Sequence, residues 1–137
     1  GINTPHPYLF FEERILWYFR SRAFFLSENI KALNLLDYMN SRLLKDTEIK
    51  LIIDAFKRLF KLMIYYKISH GDMKATNFIL HENKLFVLDL DSMSRHRNPY
   101  FFRRAIQKDL DRFLKNWTGG KYESEFERLV ASIEFPV

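Results

Sequence analysis

The sequence predicts an α+β fold in which short strands precede and interrupt a mainly helical chain. Three observations favour this class. Aromatic-rich runs typical of strands occupy residues 1–30, a long amphipathic pattern typical of a helix fills the middle, and a short strand–turn–strand pattern follows it. With 137 residues, 47% of them hydrophobic, the chain has the size and apolar content of one globular domain.

The N-terminal part of the chain predicts two strands. The runs 8–13 (YLFFEE) and 23–28 (AFFLSE) are rich in aromatic residues, which favour extended backbone. Between them, residues 15–19 (ILWYF) fit either a strand or a helix by periodicity, and both assignments stay open.

Two helices are predicted next. A short helical stretch covers residues 33–44, and a longer helix begins with Asp46 or Thr47 as its N-cap and ends near Lys67. The longer helix is indicated by apolar residues that recur at spacings of one, three and four, and therefore lie on one face: Ile49, Ile52, Ile53, Phe56, Leu59, Phe60, Met63 and Ile64.

A hairpin and two further helical segments complete the prediction. The hairpin has strands over 78–80 and 85–90 and a turn over 81–84. A helical region then runs from Pro99 through Trp117 and stops at Gly119 and Gly120, because glycine ends helices readily. A final amphipathic segment continues to Ile133.

Composition and charge exclude several classes of protein. The absence of cysteine excludes disulfide frameworks and thiolate metal sites, and it fits a reducing compartment. No apolar run approaches the ~18–20 residues of a membrane span, and the short, polar, proline-broken start does not resemble a signal peptide. The 22 Lys and Arg against 17 Asp and Glu give a net charge of +5, which favours anionic partners.

The run 68–80 (ISHGDMKATNFIL) places charged residues between apolar flanks, where charges need a partner or a chemical role. A hairpin turn centred on Asn83 pairs residues whose numbers sum to about 166, which sets Asn77 opposite Asp89. The preceding loop holds Asp72 nearby. Two carboxylates and an amide oxygen suit Mg²⁺, and Lys74 offers a positive charge to a phosphoryl group in transit. The set predicts phosphoryl transfer; the alternative is that these residues only cap turns.

These residues carry a family resemblance. Residues 70–77 (HGDMKATN) resemble the protein-kinase catalytic loop H-R-D-x-x-x-x-N with Gly71 in place of Arg, and residues 88–91 (LDLD) look like the D-F-G motif. Together with 1–5 (GINTP), 26–28 (LSE) and 108–110 (KDL), they resemble the bacterial lipopolysaccharide core kinase family, which phosphorylates Kdo or heptose sugars. The resemblance covers residues 1–118 and implies a protein-kinase-like fold that uses ATP and Mg²⁺.

The resemblance implies a role for each matching residue. Asp72 would be the catalytic base for the sugar hydroxyl, and Lys74 would steady the transferring phosphate. Asn77 and Asp89 would hold Mg²⁺, while Asp91 is left open between a second metal ligand and a turn former. The other expected roles are a hinge that offers backbone groups to adenine (Ser27, Glu28, Asn29 and Ile30) and two structural residues (His70, which braces the loop, and Asp109, which hydrogen-bonds its backbone).

The sequence departs from a complete kinase in two ways. The glycines are Gly1, Gly71, Gly119 and Gly120, so no Gly-rich phosphate loop is present, and no strand lysine paired with a helix glutamate can be placed. A two-lobed kinase fold takes roughly 200 residues or more. We therefore expect a single partial kinase-like domain over 1–137, with the end of the small lobe and the hinge in 1–30 and the mainly helical large lobe in 31–137. A fragment and a naturally reduced protein both fit.

A basic cluster lies where a kinase binds its acceptor. An anionic glycolipid or sugar acceptor fits it, because arginine pairs with phosphate and carboxylate in a two-pronged geometry; the alternative is a solvated helix face. No nucleic-acid partner is expected, since the aromatic residues follow core spacings and no recognition motif occurs. The expected location is the cytoplasm, with peripheral contact at the inner membrane left open. The cluster comprises Arg95, His96, Arg97, Arg103 and Arg104.

Three functions remain compatible with these residues. The first is an ATP-dependent phosphotransferase for Kdo or heptose, or the C-terminal part of one. The second is a pseudokinase-like fragment without turnover, which the absence of a phosphate loop favours. The third is another small-molecule kinase of the aminoglycoside or choline type, which shares the same order of motifs.

Overall fold

Small antiparallel sheets and helices alternate along the chain, which confirms the predicted α+β class. The structure is a computed structural model that describes residues 1–15 and 19–135. Its elements are β1 (Pro7–Ile15), β2 (Phe19–Ser27), α1 (Leu35–Ser41), α2 (Asp46–Tyr66), β3 (Ile68–Ser69), β4 (Phe78–His81), β5 (Lys84–Val87), β6 (Ser94–Arg95), α3 (Pro99–Lys115) and α4 (Glu123–Ala131).

The two predicted N-terminal strands are confirmed, and both are longer than predicted. β1 and β2 pair antiparallel as a hairpin, and its large apolar side chains remain exposed; Phe10 is 57% and Phe25 63% accessible. For residues 15–19 the sequence left strand and helix open. Ile15 ends β1 and Phe19 begins β2, so both of these end residues are in strands. Residues 16–18 of that assignment lie outside the described residues.

The first two helices are confirmed, with one shorter than predicted and one capped differently. α1 covers only 35–41, because Asn34 caps its start by accepting the N–H of Asp37 at 3.0 Å. The predicted N-cap of α2, Asp46 or Thr47, was wrong: Lys45 occupies that position. The carboxylate of Glu48 accepts the Lys45 N–H at 3.0 Å, which satisfies the helix start in place of a capping side chain.

The β4–β5 hairpin is confirmed, but its predicted register was wrong by one residue. Phe78 pairs with Val87 and His81 with Lys84, so paired numbers sum to 165 and not 166. The reason is a two-residue turn at Glu82 and Asn83, both with positive φ (48° and 60°), which suits the twist of a tight hairpin. Asn77 consequently lies opposite Leu88 and not opposite Asp89.

The core joins the helices to the β4–β5 hairpin. Phe78 of β4 packs edge-on against Phe56 of α2 at 5.0 Å, and Phe56 packs against Phe113 of α3 at 4.7 Å between ring centroids. α4 closes the cluster, because Phe126 stacks on Trp117 at 4.1 Å. This packing fixes the two ends of the loop 70–77 to rigid elements. No described helix combines the length and apolarity needed to cross a membrane.

Candidate active site

The loop 70–77 lies between β3 and β4 and contacts the turn that follows Asp89. β3 pairs with β6, a short sheet that the sequence did not reveal. Gly71 has φ +85°, and a Cβ there would lie 2.7 Å from both the Cβ and the carbonyl oxygen of Ser92. A larger residue would therefore be strained and would collide with Ser92. This close approach gives a physical reason for glycine at the position where the protein-kinase motif has arginine.

Asp109 of α3 holds the start of the loop. Its Oδ2 accepts the His70 N–H at 2.6 Å, and its Oδ1 accepts the Gly71 N–H at 2.9 Å. The side chain is buried, and burial raises the pKa of Asp109 above its ordinary value, while the two amide hydrogen bonds act in the opposite direction. The carboxylate thus satisfies two loop amides that would otherwise lack partners.

His70 is buried and joins the loop to the strand before Asp89. Its Nε2 lies 3.0 Å from the carbonyl oxygen of Leu88, and its Nδ1 accepts the Asp72 N–H at 3.3 Å. A carbonyl only accepts hydrogen bonds, so these contacts assign the ring proton to Nε2. Both imidazole nitrogens therefore form hydrogen bonds, one with the backbone of Asp72 and the other with that of Leu88.

Asp72 lies between two cations and is mostly shielded from solvent. Lys74 Nζ lies 2.8 Å from Oδ2, and Arg112 Nε of α3 lies 2.9 Å from Oδ1; the Asp72 side chain is 17% exposed. The hydrogen bond from Lys74 lowers the pKa of Asp72, the charges of Arg112 and Lys74 lower it further, and partial burial opposes them. The carboxylate is therefore ionised at neutral pH.

Asn77 lies beside Asp72 at the end of the loop. Its Nδ2 donates to the Asp72 carbonyl oxygen at 2.9 Å and lies 3.4 Å from Asp72 Oδ2. Its carbonyl oxygen accepts the Leu88 N–H at 2.8 Å, which extends the hairpin pairing by one residue. Within the described residues, nothing donates to Asn77 Oδ1, so this oxygen is free to accept a ligand.

One cavity of about 740 Å³ separates the two hairpins, and we call it the interhairpin cavity. The β1–β2 hairpin is tied at its base by the Glu28 N–H to His6 carbonyl bond at 2.8 Å, and the chain before it joins β5 through the Val87 N–H to Asn3 carbonyl bond at 2.9 Å. The cavity brings all four predicted hinge residues together with the second motif. They are Ser27, Glu28, Asn29, Ile30, Asp89 and Asp91.

The carboxylates of the interhairpin cavity suit a hard cation. Among the described residues, its lining includes Glu28, Asp89 and Asp91 and no Lys, Arg or His. Asp89 is exposed and adopts a left-handed backbone (φ 53°), an uncommon conformation that often marks functional sites. Within 1–15 and 19–135 no three acidic or histidine side chains converge on one point. Of the two expected Mg²⁺ ligands, the Asp89 carboxylate lines this cavity and Asn77 does not.

The predicted arginine cluster lies on the surface around the start of α3. Arg95 is in β6, and Arg97, Arg103 and Arg104 follow it; all four are exposed. None of them lines the interhairpin cavity or the cavity that contains Gly71. The structure therefore does not bring the four arginines to Asp72.

Arg112 of α3 and Asn116, the residue that follows α3, were missed in the sequence. Arg112 pairs with Asp72, and Asn116 donates to the Met73 carbonyl at 2.9 Å and accepts the Ala75 N–H at 3.1 Å. A signal existed, because positions 109, 112 and 116 share one helix face, and Asp109 was already expected to contact the loop. Residues three and seven positions after Asp109 lie on the same helix face, so the expected Asp109 contact predicts that Arg112 and Asn116 also face the loop.

Comparison with known proteins supports the motif-based interpretation. The model of the lipopolysaccharide kinase (Kdo/WaaP) family matches residues 1–132, which is nearly the whole chain. A comparison with curated proteins finds no match. The matched range includes the loop 70–77, the interhairpin cavity and the α3 residues that hold the loop.

Proposed function

The chain belongs to the lipopolysaccharide kinase (Kdo/WaaP) family, and we propose that it is an ATP-dependent phosphotransferase, or the C-terminal part of one, acting on Kdo or heptose of the inner core. One observation carries the proposal. A single cavity is lined by the predicted hinge, Ser27 to Ile30, and by Asp89 of the second motif. Adenine and phosphate recognition in a kinase require these two features on opposite sides of one nucleotide.

The lining of the interhairpin cavity supports a metal-bound nucleotide. A triphosphate entering a site with three carboxylates and no cationic lining would be repelled unless a divalent cation accompanied it. Asn77 and Asp89 would hold this Mg²⁺, which when bound neutralises charge on the phosphates. Phe10 and Phe25 offer apolar surface for the adenine, and the backbone N–H groups of Asn29 and Ile30 make no hydrogen bond within the described residues.

The surroundings of Asp72 favour an orienting role over a strongly basic one. A general base works best when its pKa is near the working pH, and the Lys74 contact lowers the pKa of Asp72 away from that range. We infer that Asp72 accepts a hydrogen bond from the sugar hydroxyl and directs it. Lys74, whose Nζ is 2.8 Å from Asp72, would neutralise the transferring phosphoryl group.

The proposal also covers the two lobes, the exposed arginine cluster and the location of the protein. Residues 1–30 would be the end of a small lobe and the hinge, and 31–137 the large lobe, which agrees with a cavity between the two hairpins. The exposed Arg95, Arg97, Arg103 and Arg104 would contact more distant acidic groups of the glycolipid or the inner-membrane surface, as their charge favours. Because ATP is a cytoplasmic substrate, the protein would act on that face of the membrane.

Phosphoryl transfer from Mg·ATP to a defined panel of acceptors tests the proposal. The panel contains a Kdo-terminated glycolipid, a heptose-extended core, an aminoglycoside and choline, with radiolabelled γ-phosphate as the readout. We expect label on the Kdo or heptose acceptor alone. Label on the aminoglycoside or choline would show that the acceptor is not a lipopolysaccharide sugar and would support the third function. Binding of Mg·ATP without transfer to any acceptor would contradict the enzymatic role and support the pseudokinase-like alternative.

A further inference from the structure

A second cavity, of about 710 Å³, opens beside the loop 70–77, and we call it the basic groove. One wall is the loop, through Gly71 and Lys74. The other wall is one face of α3, which contributes Lys108, Arg112 and Lys115 at helical spacings of four and three. Asp72 is not among the residues that line the groove, but Arg112, which is, lies 2.9 Å from the carboxylate that the proposed function places at the reacting hydroxyl.

The groove has a positive charge that the protein only partly neutralises. Its lining includes two carboxylates: Asp109 is used by the loop amides, and Asp111 accepts the amide of Gln107 at 2.8 Å. Lys74 and Arg112 share Asp72 as their counter-ion. Within 1–15 and 19–135, neither Lys108 nor Lys115 has an ion-pair partner. Two cations therefore remain available in a concave site next to Asp72.

We propose that the basic groove binds the acidic group of the acceptor, a sugar carboxylate or a sugar phosphate, with Lys108 and Lys115 as its direct contacts. The inference rests on the proposed function and adds the part of the acceptor that is recognised. An oxyanion held there would fix the sugar relative to Asp72, so the groove would select which hydroxyl is presented. Neutral sugars would lack this anchor.

This assignment differs from that of the exposed arginine cluster. The arginines lie on an open surface, where charge pairs are weak and screened by salt. Lys108 and Lys115 are also exposed, but they line a concavity that they share with Arg112, where an anion can contact several cations at once. The groove is therefore suited to positioning, and the arginine cluster to general attraction of an anionic partner.

Binding of simple sugars without nucleotide tests the inference independently of catalysis. The probes are Kdo, which carries a carboxylate, glucosamine 6-phosphate, which carries a phosphate, and neutral N-acetylglucosamine. Each is titrated into the 137-residue chain at millimolar concentration and followed by NMR. The test variant is Lys108→Gln with Lys115→Gln. The matched control is Lys50→Gln with Lys57→Gln, which removes two exposed lysines seven residues apart on α2.

We expect at least one acidic sugar to bind the parent chain, and the Lys108/Lys115 variant to bind it roughly tenfold more weakly, since each lost cation contact costs a few-fold. The control variant should bind like the parent, and the neutral sugar should bind no variant better than another. If Kdo is the sugar whose binding weakens in the variant, the recognised group is a carboxylate; if it is glucosamine 6-phosphate, the group is a phosphate. Equal binding by parent and Lys108/Lys115 variant, or no binding of either acid, would overturn the inference.

These outcomes are separable from the fate of the proposed function. If phosphoryl transfer fails but the Lys108/Lys115 variant loses acid binding, the groove is a sugar-acid site and the kinase assignment falls. If transfer to Kdo or heptose succeeds but acid binding is unchanged, the kinase assignment stands and the groove is only a solvated helix face.

Discussion

The interhairpin cavity and the basic groove are similar in volume, about 740 and 710 Å³, but opposite in chemistry. The described lining of the first includes apolar side chains and three carboxylates but no cation. The second is lined by four cations and two carboxylates, of which Asp109 accepts two loop amides and Asp111 accepts the neutral amide of Gln107. Under the proposed function, two anionic partners would be bound in different ways: the nucleotide would require a metal, while the acceptor would contact lysine and arginine directly.

The loop 70–77 explains how two such sites coexist in a small domain. Asn77 and His70 connect the loop to Leu88, the residue before Asp89, whereas Lys74 and Gly71 line the groove. Asp72 lies between them and is held by Arg112 from the groove side. The loop therefore contacts the linings of the two cavities through different residues, and substitutions can impair one site while leaving the other intact.

The largest expected effect comes from Asp72, the carboxylate that the proposed function places at the reacting hydroxyl. Asp72→Asn keeps the volume and most hydrogen bonding, so the chain should fold and still bind Mg·ATP. Phosphoryl transfer should fall by about 10²–10⁴-fold, the usual range for losing a positioned carboxylate in proton chemistry. Transfer kinetics together with nucleotide titration measure the two effects. A variant that retains full transfer, or one that loses nucleotide binding equally, would break the proposed division between the sites.

Asp109 should give the next largest effect, on folding stability. Asp109→Ala removes the acceptor of two hydrogen bonds from the loop amides, which leaves buried donors unpaired and costs about 1–3 kcal/mol. Asp111→Ala is the matched control on the same helix, because within the described residues its exposed carboxylate accepts one hydrogen bond, from the side chain of Gln107. Denaturant unfolding compares the two. Equal midpoints for both variants would show that the loop is held by other contacts, such as those of Asn116.

Much of the fold could be predicted from local pattern. The strands, the long helix and its end at Lys67 follow from aromatic content and a repeating apolar face, which are properties of neighbouring residues. The cap of α2 and the register of β4–β5 could not be predicted so well, because one depends on the reach of the Glu48 side chain and the other on two positive φ angles. The position of the cap and the register of the hairpin depend on side-chain distances and backbone angles that sequence spacing does not specify.

The candidate site was predictable where the motif is contiguous and was missed where it is not. The residues from His70 to Asn77 lie within eight positions, so their proximity follows from the chain itself. Arg112 reaches Asp72 only because α3 packs beside the loop, and the pairing of β3 with β6 joins segments far apart in sequence. The sequence also did not predict which hairpin is buried: the aromatic β1–β2 hairpin is exposed, while the β4–β5 hairpin packs in the core.

Asp89 should have a smaller effect, confined to the interhairpin cavity. Asp89→Ala should weaken Mg·ATP binding by at least roughly tenfold through loss of a charged oxygen ligand, while ATP binding in EDTA should not weaken, because a repelling charge has been removed. Calorimetry with and without Mg²⁺ separates these terms, and binding of the acidic sugars should be unchanged. Equal Mg·ATP affinity in parent and variant contradicts the metal assignment. Asp91→Ala, measured in parallel, distinguishes a second ligand from a turn former.

The smallest expected effect is the pH dependence of stability that Asp72 contributes. Lys74 and Arg112 lower its folded-state pKa below the ordinary value of 3.8, so the ionised form stabilises the fold. This contribution is fully present above the unfolded pKa and is lost as the pH falls through the lowered folded pKa. Since the pairs are partly exposed, it should amount to about 1 kcal/mol or less.

Comparing the parent with Asp72→Asn isolates this term, because the asparagine resembles the protonated acid and every other titrating group, Asp109 included, is common to both chains. The difference in their free energies of unfolding should be constant from pH 7 down to about pH 4 and should shrink below it. Urea unfolding at half-unit intervals between about pH 2.5 and 7 measures it. A difference that grows as the pH falls would mean that Asp72 is destabilised by its surroundings. Lys74 and Arg112 would then not stabilise the ionised carboxylate in the folded state.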